Sequence, residues 1–175
     1  KIYHRISLHL RLKKHKNMNS EFDIQFLQRA IEIAQANIDN GGGPFGAVIT
    51  LENKIIAESG NMVRINNDPT AHAEIEAIRK ATNTLQHFSL ENCTLYSSCE
   101  PCPMCLGAIY WAKINRIVFS SSRNDAAKAG FDDKFIYDEI LLPINKRSVS
   151  TICIPRQNAE DVFKKWIEYD KKLRY

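Results

Sequence analysis

The apolar residues of this chain show two kinds of pattern that take turns along the sequence. Some stretches have the 3.6-residue period of a helix, and others are short apolar runs typical of a β-strand. Helical spacing occurs in four stretches, which begin near Ser20, Asp68, Cys102 and Asn158, and either Asp68 or Thr70 is expected to cap the second helix. Strand-like runs occupy residues 47–51, 55–61, 93–97, 116–120 and 150–154. This order of elements predicts an α/β domain with a mixed five-stranded sheet.

Two local patterns predict how the strands pair. The runs 47–51 and 55–61 are joined by Glu52-Asn53-Lys54, which predicts an antiparallel hairpin. The runs 93–97 and 116–120 lie on either side of a predicted helix, so we expect them to pair in parallel through a right-handed crossover. Helices on one face of such a sheet direct their N-termini to a common edge, where open α/β sheets bind ligands.

Candidate chemistry is concentrated in two short stretches, which read HAE and PCPMC. A catalytic zinc ion takes three protein ligands and leaves one position open for water, and His72, Cys102 and Cys105 match that number. The two cysteines are three residues apart, so they share one face of a helix whose first turn stabilises thiolates. His72 and Glu74 face different directions on a regular helix, so we expect His72 to bind zinc and Glu74 to carry protons.

A structural zinc site, or a set of buried cysteines, would explain the same residues without catalysis. A structural site closes its shell with a fourth ligand, for which Cys99, Cys93 and His87 are the candidates. None of the three is paired with a second ligand at the spacing of a metal finger. The two stretches together match the H-x-E and P-C-x-x-C signature of zinc-dependent nucleobase deaminases, which favours a catalytic ion.

Composition and charge narrow the class of protein. The 175 residues suffice for one ordinary domain, and no run of eighteen apolar residues is present to span a membrane. Five cysteines, three of them at positions 99, 102 and 105, favour metal binding in a reducing compartment such as the cytoplasm over disulfides. Residues 1–17 hold six basic residues and no acid, so the net charge of +4 becomes −2 for the remainder, which does not indicate a nucleic-acid surface.

Residues 1–17 differ in composition from everything that follows. Three interpretations are open: upstream residues of non-native origin, a basic targeting leader, and an arm that binds nucleic acid. Met18 is a natural start, and the stretch before it has no clear cleavage site. We therefore expect residues 1–17 to be a non-native or non-functional extension, followed by a single domain over residues 18–175.

Several further residues have both a structural and a functional interpretation. The glycines at 41–43 lack the lysine and Ser/Thr of a P-loop, so a close approach of the backbone to a flat ligand explains them better than phosphate binding. Phe45 is expected either to stack on that ligand or to belong to the core. Asn61 ends a strand, where Asn is usually a turn residue but can also bind the edge of a base. Asp132 and Asp133 form an acidic pair of a kind that is ordinarily solvated or caps a helix.

Beyond the two motifs, the chain from residue 20 to Tyr175 resembles the bacterial guanine deaminases of the cytidine deaminase-like superfamily. The stretches that carry the resemblance are GGPFGAV from Gly42, NDPTAHAE from Asn67, SCEPCPMCLGAIYWA from Ser98 and AGFDDKFIY from Ala129. The first three are shared loosely with tRNA adenosine deaminases and plant guanosine deaminases, and AGFDD favours the guanine deaminases. The resemblance implies a three-layer α/β/α fold, with one zinc ion per subunit at the N-termini of two adjacent helices.

The resemblance also implies the reaction and the roles of single residues. Guanine would be hydrolysed at the carbon that bears its 2-amino group, giving xanthine and ammonia in purine catabolism or salvage. Glu74 would be the first proton shuttle, and Asp133 a second one near the leaving amine. The residues implied to bind the base are Phe45, which stacks on it opposite the His72 ring, with Asn61, Ala73 and Tyr175.

Members of that family are homodimers, which implies that the segment 156–175 crosses to the partner subunit and that Tyr175 closes a site there. Leu173-Arg174 before this tyrosine depart from the family pattern. The alternatives are a guanosine deaminase, a tRNA adenosine deaminase, which requires a basic surface, and an inactive scaffold stabilised by zinc. A small purine base is the expected partner, with neither nucleic acid nor a membrane.

Overall fold

A four-stranded sheet lies at the centre of the computed structural model, which describes residues 21–173. Its strands are β1 (Gly43–Leu51), β2 (Lys54–Asn61), β3 (Cys93–Cys99) and β4 (Arg116–Ser121), in the order β2-β1-β3-β4. The β1 strand is antiparallel to both β2 and β3, whereas β3 and β4 are parallel. The predicted hairpin, the parallel pair and the mixed character of the sheet are therefore confirmed.

Helices cover both faces of this sheet. They are α1 (Glu21–Asp39), α2 (Val63–Asn66), α3 (Ala73–Leu85), α4 (Pro103–Trp111), α5 (Arg123–Lys128), α6 (Lys134–Leu141) and α7 (Gln157–Glu168), with a 3-10 turn at Ile144–Lys146. On one face α1 packs Phe26 and Ala30 against Val48 of β1. On the other face α3 and α4 pack against Ala47 and Ile49 of the same strand. Alternate residues of β1 thus point to opposite buried faces, which produces the predicted three layers.

Three predictions about the elements are wrong. Residues 150–154 form no strand, because no other strand of the described chain lies beside them and their side chains are exposed. The sheet therefore has four strands in this part of the chain, not five. The C-terminal helix ends at Glu168, before Lys172.

The third error concerns the start of the helix that follows Asp68. Its first residue is Ala73 and its N-cap is His72, so neither Asp68 nor Thr70 caps it. Asp68 Oδ1 instead accepts hydrogen bonds from the Thr70 N–H and hydroxyl, both at 2.7 Å. This local turn leaves His72 as the residue that enters the helix.

Several predictions lie outside the described residues. They concern the extension 1–17, the cap at Ser20 and the terminal Tyr175. Among residues 21–173, the helices include none that is both long and apolar enough to cross a membrane. All five cysteines are free thiols.

Candidate zinc and active site

His72, Cys102 and Cys105 meet at the edge of the sheet where β3 ends and where α3 and α4 begin. Nδ1 of His72 lies 3.5 Å from Sγ of Cys102 and 3.5 Å from Sγ of Cys105, and the three ligand atoms all lie within 4.8 Å of one another. A zinc ion with tetrahedral bonds of about 2.3 Å to sulfur and about 2.1 Å to nitrogen separates such ligands by about 3.6 Å. The cluster therefore fits zinc, and three protein ligands leave the fourth position for water.

The backbone brings all three ligands to helix N-termini. His72 is the N-cap of α3 and Cys102 is the N-cap of α4, both with extended backbone dihedrals. Pro103 occupies the first position of α4, where its missing N–H costs nothing because that group has no partner within the helix. Cys105 lies three residues beyond Cys102, so both sulfurs face the same point. The positive ends of two helix dipoles favour thiolates there.

The two thiols differ in acidity. The pKa of Cys102 falls to about 4, because it is hydrogen-bonded by the Cys105 thiol and by the His72 ring. The pKa of Cys105 rises, because of its hydrogen bond to Cys102, its burial and the nearby carboxyl group of Glu74. Cys102 therefore ionises first, and the proton of Cys105 is the one that a metal cation displaces.

The candidate fourth ligands are engaged elsewhere. The Cys99 thiol donates to the carbonyl oxygen of Ser122 at 3.6 Å, and burial raises the pKa of Cys99 to about 11. Cys93 is fully buried in the hydrophobic core, and the His87 ring stacks on Phe88. Within residues 21–173, the only metal-binding group found contains three residues. This geometry favours the open, catalytic type of site over the closed structural one.

Glu74 is buried beside the cluster, with 6% of the residue exposed. Its Oε1 accepts a hydrogen bond from the Ser97 hydroxyl at 3.1 Å, and its Oε2 accepts one from the Cys105 thiol at 3.4 Å. Burial raises the pKa of Glu74, so this carboxyl group can take up and release a proton nearer to neutral pH than an exposed glutamate. Sequence reasoning did not identify Ser97. The one indication in the sequence is a serine within a strand that is predicted to be buried.

A cavity of about 470 Å³ opens onto this cluster, a size suited to a small molecule. We use "floor" for the three zinc ligands together with Glu74. We use "wall" for four cavity-lining residues from other parts of the chain, namely Phe45, Asn61, Phe131 and Asp133. The structure thus brings His72, Glu74 and Cys102 of the floor to one cavity with the predicted Asp133 and with two of the four predicted substrate-binding residues, Phe45 and Asn61.

Two aromatic rings form one side of the wall. The centroids of Phe45 and Phe131 lie 4.9 Å apart, and the rings meet edge to face at 85°. Phe45 also packs against the hydrophobic core, so its core interpretation is confirmed, while its stacking on a ligand stays a prediction. The edge-to-face contact holds the Phe45 ring in place and leaves an apolar surface for a flat ligand.

Asn61 ends β2 and lines the cavity as a buried amide, with 7% of the residue exposed. Its Oδ1 accepts a hydrogen bond from the Val63 N–H at 3.2 Å. The amide oxygen is therefore engaged by the backbone. The NH₂ end remains available to donate to a bound ligand.

The two acids of the predicted pair have different roles. Asp132 Oδ1 accepts a hydrogen bond from the Lys134 N–H at 2.9 Å, as expected of a capping residue. Asp133 is the residue that precedes α6, yet its side chain makes no capping hydrogen bond, and it lines the cavity. Burial, with the nearby Cys102 sulfur, raises the pKa of Asp133. Both acids line the cavity, but Asp132 makes the hydrogen bond to the start of the helix, whereas the Asp133 carboxyl group makes no capping bond.

Three charged residues that sequence reasoning did not identify also line the cavity: Arg64, Glu100 and Arg123. The Glu100 carboxylate accepts a hydrogen bond from the main-chain N–H of Arg123 at 3.1 Å. The Arg123 guanidinium lies 4.7 Å from the centre of the Tyr137 ring. Arg64 and Arg123 belong to no motif, whereas Glu100 directly precedes PCPMC. Only the folded chain brings them together.

Two predicted substrate-binding residues are not among those that line the cavity. Ala73 is fully buried as the first residue of α3, so its side chain is directed into the core. Tyr175 lies outside the described residues. Their roles stay predictions.

Comparison with known proteins identifies the family. Residues 20–121 match the family model of the cytidine and deoxycytidylate deaminase zinc-binding region. The chain belongs to this deaminase family. The matched stretch contains all four floor residues, so zinc is the cofactor of the family and the His72, Cys102 and Cys105 cluster is the group that could hold it.

Individual relatives of this deaminase include guanine deaminases and tRNA-specific adenosine deaminases. The guanine deaminase of Bacillus subtilis (strain 168) is 48% identical over 151 residues, which cover 86% of this chain and 97% of that protein. A crystal structure of guanine deaminase from B. subtilis matches with a TM-score of 0.85 and 47% identity, over 90% of this chain and 99% of that one. A tRNA-specific adenosine deaminase of Buchnera aphidicola subsp. Schizaphis graminum is 40% identical over 138 residues, or 78% of this chain and 91% of that protein. The similarity therefore extends well beyond the zinc-binding stretch.

Proposed function

We propose that this deaminase hydrolyses guanine to xanthine and ammonia, as part of purine catabolism or salvage. The observation that carries the proposal is that Asn61 and Asp133 line the same cavity as His72, Glu74 and Cys102. The extensive similarity to the B. subtilis guanine deaminase supports the choice of base. The reducing conditions of the cytoplasm suit five free thiols, and we assign the enzyme to that compartment.

Each residue of the site has a defined part in this reaction. His72, Cys102 and Cys105 would hold a zinc ion, which would lower the pKa of a water molecule to about 7. Glu74 takes one proton from the attacking water and delivers it to a ring nitrogen as oxygen adds to the carbon that bears the amino group. The remaining proton of the added hydroxyl passes to the amine with the assistance of Asp133 as the carbon–nitrogen bond breaks, which leaves the new carbonyl group of xanthine and releases ammonia. Asn61 donates to an acceptor atom of the base, while Phe45 and His72 lie against its two faces.

The charges of the cavity favour a neutral base over a polyphosphate or a tRNA. Among the residues that line it, four are acidic and two are basic: Glu74, Glu100, Asp132 and Asp133 against Arg64 and Arg123. Phosphate groups require an excess of positive charge at the protein surface. The similarity to a tRNA-specific adenosine deaminase, which extends over 138 residues, therefore does not by itself indicate a phosphate-binding surface.

An inactive zinc scaffold is disfavoured by the burial of Glu74. A carboxyl group in an apolar environment costs free energy unless it is hydrogen-bonded, and here the Ser97 hydroxyl supplies such a bond. A scaffold needs neither the buried acid nor the open cavity beside it. Both are required for the transfer of protons to a bound substrate.

The experiment that tests the proposal is a comparison of ammonia release from guanine, guanosine, adenine, cytosine and cytidine. We expect guanine to have the highest kcat/KM, and a zinc chelator to abolish its turnover until zinc is restored. A higher kcat/KM for guanosine would overturn the choice of substrate. If the enzyme deaminated adenosine in an anticodon stem-loop and released no ammonia from guanine, it would instead be a tRNA deaminase.

We further propose that the enzyme is a homodimer whose C-terminal segment, residues 156–175, packs against the partner subunit. Every residue from 140 to 171 is exposed in the single chain. The α7 helix nevertheless carries large apolar side chains, with Phe163 71% and Ile167 69% exposed. Apolar surface of this kind marks an interaction site, and exchange of an identical element between two copies covers it on both.

The dimer is tested with Phe163→Glu, for which Lys164→Glu at the adjacent exposed position is the control. We expect the mass measured by light scattering to fall from dimer to monomer in F163E and to stay unchanged in K164E. Deletion of Tyr175 is expected to raise the KM for guanine without a change in mass. A dimeric F163E with full activity would contradict the exchange.

A further inference from the structure

The side-chain amide of Asn37 joins the two strand ends that carry part of the cavity lining. Asn37 lies in the last turn of α1 and is buried, with 8% exposed. Its Nδ2 donates to the carbonyl oxygens of Gly43, at 2.7 Å, and of Asn61, at 2.8 Å. Because carbonyl oxygens only accept hydrogen bonds, the NH₂ end of this amide must be the end that faces them. The Gly42 N–H in turn donates to the main-chain carbonyl of Asn37 at 2.8 Å.

Two neighbouring glycines, Gly42 and Gly60, leave the space that the Asn37 amide occupies, and a side chain at either position would collide with it. A Cβ atom at Gly42 would lie 2.3 Å from Asn37 Nδ2, and one at Gly60 would lie 2.4 Å from Asn37 Cγ. Neither glycine has a positive φ, so backbone conformation does not require glycine at these positions. Gly42 and Gly60 therefore accommodate Asn37, which revises the expectation that the glycine loop serves a flat ligand alone.

Asn37 acts where the strand ladder is interrupted. Gly43 still pairs with Asn61, but the register of β1 and β2 shifts between Gly43 and Gly46, so an irregularity separates this last pair from the rest of the ladder. The Asn61 side chain packs directly on Gly43, where an added Cβ atom would lie 3.0 Å from Asn61 Oδ1. Asn37 thus binds the backbone of Asn61 and also the backbone of Gly43, against which the Asn61 side chain packs.

We propose that Asn37 is a positioning residue for the substrate base and that it acts through Asn61. Asn37 is not among the residues that line the cavity, so it does not touch the substrate itself. Its two hydrogen bonds determine where the Asn61 amide stands relative to the floor. The inference rests on the proposed function, because it takes Asn61 as the residue that binds the base edge.

The test is a double-mutant cycle of Asn37→Ala and Asn61→Ala, with kcat and KM measured for each variant. We expect N37A alone to raise KM about tenfold with kcat within about threefold of wild type, because binding is lost more than chemistry. In the N61A background we expect the same substitution to change KM by less than about twofold, because the residue through which it acts is absent. Asn37→Asp, which turns a carboxylate oxygen toward two carbonyl oxygens, is expected to raise KM further.

The matched control is Asn40→Ala, an exposed asparagine three residues later, for which no change in KM is expected. Equal increases in KM from N37A in both backgrounds would overturn the proposal and leave Asn37 with a purely structural role. The cycle uses whichever purine base the wild-type enzyme turns over fastest. A wild type inactive on guanine but active on another base therefore contradicts the proposed function, while the coupling between Asn37 and Asn61 is still measured.

Discussion

The floor and the wall of the cavity are assembled in different ways. The floor comes from two helix N-termini, where Glu74 and Cys105 are buried and His72 and Cys102 are half-buried. The wall comes from the start of β1, the end of β2 and the segment before α6, and it ranges from the buried Asn61 to Phe131, which is 46% exposed. This difference shows that the reaction depends on the floor, whose residues come from two short sequence stretches, HAE and PCPMC. The choice of base depends on how distant segments meet.

The largest effect is expected from removing the proton carrier of the floor. We expect Glu74→Gln to lower kcat at least about 10²-fold, because glutamine keeps the shape but cannot transfer the proton. Zinc content, measured by elemental analysis, is expected to stay at one ion per subunit. The control is Glu76→Gln, two residues further along α3, with kcat expected to remain near that of wild type. Unchanged turnover in E74Q would show that Glu74 is not the shuttle.

A smaller effect is expected from the acid of the wall. We expect Asp133→Asn to lower kcat about 30-fold, below the full effect of an acid–base residue because Glu74 still carries the first proton. Asp132→Asn is the matched control, since its amide oxygen can still accept the hydrogen bond from the Lys134 N–H. Steady-state kinetics on guanine distinguish the two variants. Equal losses in D132N and D133N would mean that the loop, and not the carboxyl group, matters.

The hydroxyl that supports Glu74 is expected to contribute less than either acid. Ser97→Ala removes a hydrogen bond to a carboxyl group, which is worth about 1.5 kcal/mol, so we expect kcat to fall about tenfold with KM unchanged. Ser97→Thr keeps the hydroxyl and is expected to restore most of the activity. If S97A raised KM and left kcat intact, Ser97 would belong functionally to the wall.

The smallest effect is expected from the aromatic pair of the wall. Phe131→Leu removes the edge-to-face contact with Phe45, which is worth about 0.5–1 kcal/mol, so we expect KM to rise about threefold and kcat to stay the same. Phe135→Leu, at a side chain 64% exposed, is the control, and its KM is expected to be unchanged. A loss of kcat in F131L would indicate that the ring also orders the floor.

Prediction from sequence succeeded where a short stretch contains all the information. The spacing of HAE and PCPMC gave the three ligands that the structure brings within 4.8 Å of one another, because helix geometry relates residues one turn apart. Prediction failed for residues 150–154, whose apolar run resembles a strand but has no neighbouring strand in the described chain. A strand requires a partner, and the residues of one run do not reveal whether a partner is present.

The acidic pair illustrates the same limit at the level of one residue. Asp132 and Asp133 are the same residue type and both line the cavity, yet the Asp132 carboxylate binds the backbone of Lys134 whereas the Asp133 side chain makes no capping hydrogen bond. Asn37 and Ser97 carried no motif at all. Each acts through a partner more than twenty residues away, at Asn61 and Glu74 respectively.

The amino-acid sequence by itself determined the type of chemistry. His72, Glu74, Cys102 and Cys105 are placed by local helix geometry, which the order of residues specifies directly. Only the tertiary structure decided which carboxyl group of the acidic pair makes no capping hydrogen bond, which side chain holds the Asn61 strand end and which charges line the cavity. The physical reason is that hydrogen bonds and burial between distant segments depend on the packing of the whole sheet, and no short stretch encodes that packing.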